Sequence, residues 1–277
     1  FTESFWPNHP LGLPILGTRE SVEALDRAQL LGFFRETYTP ANLIVAAAGN
    51  LVHEDVVELI DRYFHPLKPR PSGVLESPPV VESAVRFREK NLEQVHLVLG
   101  TSAPSQSHAD RYASYVLNTV LGGTMSSRLF QVIREKRGLA YSVFSGLSCY
   151  RDAGSLTIYA ATSPQNSAQV VELVLEELRR IRREPVLGAE LRRAKDHLKG
   201  SFMLGLEGTG ARMSQLARHE MYFGRQIPLD EILHGIETVE AEDVMRLAGE
   251  MFEGRPLALT ALGNLEQFKP LPEQLVA

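Results

Sequence analysis

The chain has 277 residues, 44% of them apolar, and its 29 basic and 34 acidic side chains give a net charge of -5. That length and apolar share suffice for one large or two ordinary packed domains, and the acidic balance offers nothing to attract nucleic acid or an anionic membrane. No stretch approaches the apolar length needed to span a bilayer, so the chain reads as soluble; the single cysteine, Cys149, excludes an intrachain disulfide and a cysteine-based zinc site without fixing a compartment.

Residues 1–6 carry no initiator Met, no basic segment and no long apolar core, so they read as a helix end cut mid-element rather than a signal peptide or a native start. Residues 22–38 are helical by period, 42–49 form a buried strand, and 53–64 are helical again. Pro66, Pro69, Pro71, Pro78 and Pro79, with Ser72 and Gly73 among them, mark an extended linker. Beyond it, 85–87 and 95–100 alternate as strands, 108–121 and 127–135 read as helices, and 140–150 with 154–162 suggests a hairpin. Helical segments at 166–183, 188–206 and 211–223 follow. A shorter helical stretch near Asp230 leads into a helix at 241–252 and a closing strand at 257–262. Strands grouped together rather than alternating one for one with helices indicate an α+β fold, a mainly antiparallel sheet with helices on one face.

Residues 22–51 recur without a gap at 236–265. Seven of the thirty aligned pairs are identical, among them Glu36/Glu250, Gly49/Gly263 and Asn50/Asn264, and many of the rest exchange like for like. So long a period fits two homologous domains in tandem, not a solenoid. If the second copy starts near residue 80, the first would start roughly 130 residues before Phe1. The expected organisation is therefore residues 1–65 as the C-terminal part of a truncated first domain, 66–80 as linker, and 81–277 as a complete second domain.

The run 121–130, Leu-Gly-Gly-Thr-Met-Ser-Ser-Arg-Leu-Phe, is followed by Ile133-Arg134-Glu135-Lys136-Arg137-Gly138-Leu139-Ala140-Tyr141-Ser142-Val143. Together they resemble the second-half signature of the pitrilysin/insulinase family of zinc metallopeptidases, which includes mitochondrial processing peptidase and its bacterial relatives. Residues 9–18, beginning His9-Pro10-Leu11-Gly12, resemble the later part of that family's first half. The resemblance implies a clamshell of two homologous α+β halves closing on an unfolded peptide. It also implies zinc in the intact parent, held by an inverted His-x-x-Glu-His motif and a later glutamate of the first half. Two imidazoles four apart share one helix face, and the intervening glutamate can act as general base. This chain contains no Glu-His dipeptide, so the inverted motif is absent from it. The later glutamate falls upstream of Phe1, and Glu3 sits too late to replace it. No metal is expected on this chain.

The same resemblance gives Arg134 and Tyr141 the role of contacting the bound peptide and the transition state, with Gly122 and Gly123 in a glycine-rich loop near the cleft. Gly138 interrupts any single helix through both, which puts Arg134 on a last helical turn and Tyr141 at the start of a strand. On spacing alone they would be a helix-end cation and a half-buried strand tyrosine. Other motifs dissolve on inspection. His219-Glu220 begins a His-Glu-x-x-His pattern, but residue 223 is Phe. The glycine-rich run 205–210 has the wrong spacing for a dinucleotide loop and reads as a helix break, Gly122-Gly123-Thr124 lacks the Lys-Ser/Thr of a phosphate loop, and the arginines of 179–183 complement a helix C-terminus.

The expected function is thus the substrate-binding second half of a zinc-dependent endopeptidase acting on peptides or unfolded proteins, with a zinc-bearing half or partner subunit, a possible dimer, and no nucleic-acid or membrane-spanning partner. Bacterial cytoplasm or periplasm is favoured over an organelle matrix. The alternative is a non-catalytic subunit, either supplying the arginine and tyrosine in trans to a heterodimeric peptidase or serving structurally in a respiratory complex.

Overall fold

The computed structural model describes residues 1–68, 77–254, 256–266 and 268–277, so most of the expected linker lies outside the described residues. In chain order the elements are α1 (Thr2–Phe5), α2 (Arg19–Glu23), α3 (Arg27–Thr37), α4 (His53–Phe64), β1 (Val85–Glu89), β2 (Val95–Ser102), α5 (Arg111–Leu121), a π-helical turn (Phe130–Glu135), β3 (Ala140–Cys149), β4 (Gly154–Thr162), α6 (Ser167–Arg183), α7 (Gly188–Gly205), α8 (Thr209–Phe223), α9 (Leu229–Glu237), α10 (Ala241–Phe252) and β5 (Ala258–Gly263). They fall into two compact units: residues 1–13, 78–202 and 228–277 make one, and 14–77 with 203–227 the other.

The first unit is an α+β layer. Its sheet has the order β1-β5-β2-β4-β3, with β1 parallel to β5 and every other pairing antiparallel. Because successive side chains on a strand alternate faces, the register sorts them cleanly. Leu97 lies opposite Ala160 and Ala261, and Leu99 opposite Ile158 and Leu259; all are buried on the face covered by α5, α6 and α10. Helix α6 meets that face with Val170, Val174, Leu178 and Ile181, spaced at the helical period. Its basic end is accounted for locally: Arg180 pairs with Glu177 at 3.0 Å, Arg182 with Glu253 at 3.1 Å, and Arg179 donates to the Val276 carbonyl at 2.7 Å.

The opposite face carries Val98, Gly100, Tyr159, Thr157 and Ala258. Residues 1–13 lie on one end of it, with Phe5 and Trp6 fully buried against Ala258 and Phe1, Leu11, Val81 and Tyr150 packed around them.

The duplicated segments share their helix and their glycine exit. Helices α3 and α10 begin 214 positions apart, after Asp26 and Glu240. In the first copy Asp26 Oδ1 accepts from Gln29 N at 2.7 Å while Asp26 N donates to Gln29 Oε1 at 3.0 Å; in the second, Glu240 N donates to Asp243 Oδ2 at 2.9 Å. Gly49 and Gly263, again 214 apart, have nearly the same unusual φ, 150° and 147°.

Three expectations are corrected. Residues 22–38 are two helices, because Asp26 caps a new start and ends the turn at 24–26. The helix expected at 108–121 begins only at Arg111, after a turn in which His108 Nδ1 accepts from Asp110 N at 3.1 Å. The strand expected at 42–49 is not formed: Pro40–Asn42 is a 3-10 turn, and the residues after it belong to no strand ladder among the described residues. Its counterpart β5 is held between β1 and β2. Apolar patterning marks a segment for a sheet, but a ladder needs neighbours to complete its hydrogen bonds.

Candidate functional site

Helix α5 ends at Gly122 and Gly123, whose amides both donate to the Asn118 carbonyl, at 3.0 and 2.8 Å. Gly122 is packed against β3: Ser145 N donates to its carbonyl at 3.1 Å, and a Cβ on Gly122 would lie 2.5 Å from that nitrogen. Ser145 Oγ in turn donates to Asn118 Oδ1 at 2.8 Å. The glycine pair thus lets α5 close onto β3 on the helix-covered side of the sheet.

From there the chain runs into the π-helical turn, whose wider winding is common where a side chain must be re-aimed. Its start is pinned by Arg128, which donates Nε and Nη2 to the two carboxylate oxygens of Glu190 on α7, each at 2.8 Å, in a largely buried fork. Its end carries Arg134. Gly138, at φ 61°, then turns the chain into β3, with its amide donating to the Arg134 carbonyl at 3.0 Å. Tyr141 is the second residue of β3 and occupies a bulge, the register stepping between Ala140 and Ser142. An inserted residue of this kind is freed from the ladder and turned outward.

These local causes bring the two predicted side chains together. The Arg134 guanidinium stacks between two rings, 4.8 Å from the centre of Phe130 and 4.9 Å from that of Tyr141. Stacking engages the faces of the guanidinium and leaves its in-plane donors free. Neither the Arg134 fork nor the Tyr141 hydroxyl makes a side-chain hydrogen bond among the described residues, and the nearest carboxylate to Arg134 is Glu135 at 4.0 Å. Tyr141 is 76% exposed, not the half-buried strand residue that spacing alone suggests. The pair is a set of convergent donors held at the surface by aromatic packing, able to hold a carbonyl or carboxylate and to donate to an oxyanion. Sequence reasoning missed Phe130, although its i, i+4 spacing from Arg134 was a usable signal. It also missed the Arg128–Glu190 fork, for which separation along the chain left none.

Among the described residues no group of three or more His, Cys, Asp or Glu is gathered as a metal site. His219 is buried, its Nδ1 accepting from Ile227 N at 3.1 Å and its ring meeting Phe223 edge-on, so His219 is a structural residue. The glycine-rich run 205–210 is the break between α7 and α8. No helix among the described residues is long and apolar enough to cross a membrane.

The sequence profile of the peptidase M16 inactive domain matches residues 24–198. An uncharacterized zinc protease of Mycobacterium leprae is 38% identical over 99% of this chain, which spans 63% of that relative's length. One of Bacillus subtilis is 37% identical over 95% of the chain, spanning 65% of the relative. The chain also superposes on the crystal structure of a peptidase M16 inactive domain from Pseudomonas fluorescens with a TM-score of 0.88, at 22% identity, over 97% of this chain and 65% of that one. A chain of complex III from Candida albicans has the same fold, with a TM-score of 0.87 at 20% identity, covering 100% of this chain and 69% of that one. No cluster among the described residues fits the zinc that the relatives' names imply, yet the profile covers well over half of the sequence: the chain belongs to the pitrilysin/insulinase peptidases, peptidase M16, and carries their inactive domain.

Proposed function

We propose that this chain is the substrate-contacting half of a zinc-dependent endopeptidase that degrades or processes peptides or unfolded proteins, with the zinc held by a part of the parent protein, or a partner subunit, outside these 277 residues. In this reading residues 1–65 close the first repeat, 66–80 link, and 81–277 form the second repeat. The protein works in the cytoplasm or periplasm of a bacterium, alone or as a dimer. Support for a separate zinc-bearing half comes from relatives named zinc proteases that are half as long again as the aligned region, and from the repeat itself. Leu247 on α10 is 2% exposed, whereas its repeat partner Phe33 is 62% exposed, an apolar position left open among the described residues.

The observation that carries the reading is the stacked Arg134–Tyr141 pair with unused donors. Arg134 holds a peptide carbonyl or carboxylate through its fixed fork before reaction begins. The Tyr141 hydroxyl donates to the oxyanion that develops on the scissile carbonyl, a bond stronger in the transition state than in the ground state. The test is steady-state kinetics of the zinc-loaded full-length parent on a quenched peptide. Tyr141→Phe lowers kcat by about a hundredfold or more with little change in KM, the cost of losing one oxyanion donor. Arg134→Ala raises KM and lowers kcat together. Wild-type turnover in Tyr141→Phe overturns the catalytic assignment.

The second reading is that the Arg134–Tyr141 pair acts in trans within a heterodimer whose zinc lies on a separate chain. It is separated from the first by where activity resides: a zinc-bearing subunit on a separate chain gains activity on adding this chain, and gains none on adding its Tyr141→Phe variant.

A further inference from the structure

On the face of the sheet not covered by helices, the register sets side chains in rows. His96 lies opposite Leu262 and Ala161, and Ala161 opposite Ser142; in the next row Val98 lies opposite Thr260 and Tyr159, and Tyr159 opposite Phe144. Three of these form a connected patch. The Phe144 ring, half exposed, sits 5.1 Å from the Tyr159 ring, and the Tyr159 hydroxyl is 2.7 Å from His96 Nδ1, a bond that runs diagonally between neighbouring strands and fixes the tyrosine ring across the sheet.

The other end of this face shows what it accepts. There the protein's own residues 1–6 are seated, the Phe1 ring filling the space where Gly100 lacks a Cβ, Phe1 stacked on Phe5 at 5.1 Å, and Trp6 edge-on to Tyr150 at 5.6 Å. Phe5 is also fixed by its main chain, its carbonyl accepting from Glu82 N at 3.0 Å. One end of the face thus binds a segment rich in aromatic side chains, while the aromatic patch at the other end has no such cover among the described residues. Phe144 and Tyr141 are three residues apart on β3, and the bulge at Tyr141 offsets the alternation that would otherwise set them on opposite faces. Three residues of strand span about 10 Å, the rise of about three residues of an extended peptide.

We propose that Phe144, Tyr159 and His96 form a specificity subsite that takes an aromatic side chain of the peptide substrate, two or three residues from the bond held at Arg134 and Tyr141. Phe144 and Tyr159 provide the ring contacts, which favour offset or edge-on arrangements with an incoming ring. His96 is a positioning residue that holds Tyr159 through its hydroxyl. The inference rests on the peptide-contacting role of Arg134 and Tyr141 proposed above.

The test is binding by the full-length parent, stripped of zinc with a chelator so that no turnover intervenes. The probe is a fluorescein-labelled extended peptide in which a single Phe is moved stepwise along an otherwise Ala/Ser sequence. Wild type binds best with Phe at one position, by about tenfold over Ala, the scale expected for burying one ring. Phe144→Ala brings that ratio to within about twofold of one while leaving affinity for the all-Ala peptide unchanged. Tyr159→Phe, which loses the bond to His96, lowers the ratio by about threefold, as does His96→Ala, and the double variant falls no further. If Phe144→Ala fails to fold, Phe144→Leu keeps the bulk and lowers the preference for Phe alone. A wild-type ratio of one at every position, or a ratio unchanged in Phe144→Ala or Phe144→Leu, overturns the proposal. So does an unchanged ratio accompanied by loss of dimer in sedimentation, which assigns the patch to a second copy. Failure of the underlying reading looks different: zinc-loaded Tyr141→Phe then turns over at the wild-type rate while the Phe ratio and its loss in Phe144→Ala persist.

Discussion

Gly122 is set by close approach rather than by conformation. The space its Cβ would need is already held by the Ser145 backbone nitrogen and by Ser145 Oγ 2.6 Å away, so neither neighbour can give without opening the α5–β3 contact. Gly122→Ala is expected to destabilise the protein by about 1–3 kcal/mol, the range for overpacking a close-packed site, read as a fall in Tm. Gly138 is the opposite case, with nothing within reach of a Cβ but a φ of 61° that delivers Tyr141 to the start of β3. The two glycines of one motif are there for different reasons, one steric and one torsional. Arg134 shows a third kind of constraint, a cation held between the faces of Phe130 and Tyr141 so that its donors stay available. In such a site the rings set the position of the charge, and the charge in turn orders the exposed tyrosine ring.

The repeated helix–turn–extended unit shows how far local sequence fixes conformation. The N-terminal capping position and the glycine exit are shared, and the helices differ by one residue in length, although one copy leads into a sheet and the other does not. Gly49 and Gly263 make this measurable, because both occupy a backbone region that side chains rarely adopt. At Gly49 an added Cβ meets nothing, whereas at Gly263 it would lie 2.8 Å from the Gln94 carbonyl oxygen. Gly49→Ala therefore costs only the strain, about 1–2 kcal/mol, and Gly263→Ala costs that plus a clash with the neighbouring strand. Chemical denaturation of the two variants is expected to show the larger fall in midpoint for Gly263→Ala. Equal losses would mean that the neighbouring chain yields freely.

In the unit made by residues 14–77 and 203–227, Val22, Leu30, Phe33, Val57 and Tyr63 are all exposed, a density of apolar surface that a free face seldom carries. By the repeat, Leu30 and Phe33 correspond to Val244 and Leu247, which are buried in the other unit. Under the proposed function, this is the surface that the zinc-bearing remainder of the parent would cover. The 277 residues by themselves are expected to retain no stoichiometric zinc after dialysis, as measured by elemental analysis. One tightly held zinc per chain would show that ligands had been overlooked within these residues.

Most helix positions, the hairpin and the separation of Arg134 and Tyr141 by a glycine break were legible in the sequence, because each is set by residues within a few positions of one another: apolar spacing, capping side chains, and glycine where φ is positive. Pairing decided the rest. Residues 42–49 and 257–262 have the same apolar pattern, yet only the second lies in a ladder, between β1 and β2, since a strand exists only where neighbours complete its hydrogen bonds. The Arg128–Glu190 fork and the His96–Tyr159 bond likewise join residues 62 and 63 positions apart, and no local pattern announces them. The sequence by itself determined where helices and extended apolar segments lie and which side chains are near one another along the chain, whereas pairing decided which of those segments become strands. Only the tertiary structure decided which of them share a face, because that depends on sheet register and helix packing, which bring together residues far apart in sequence.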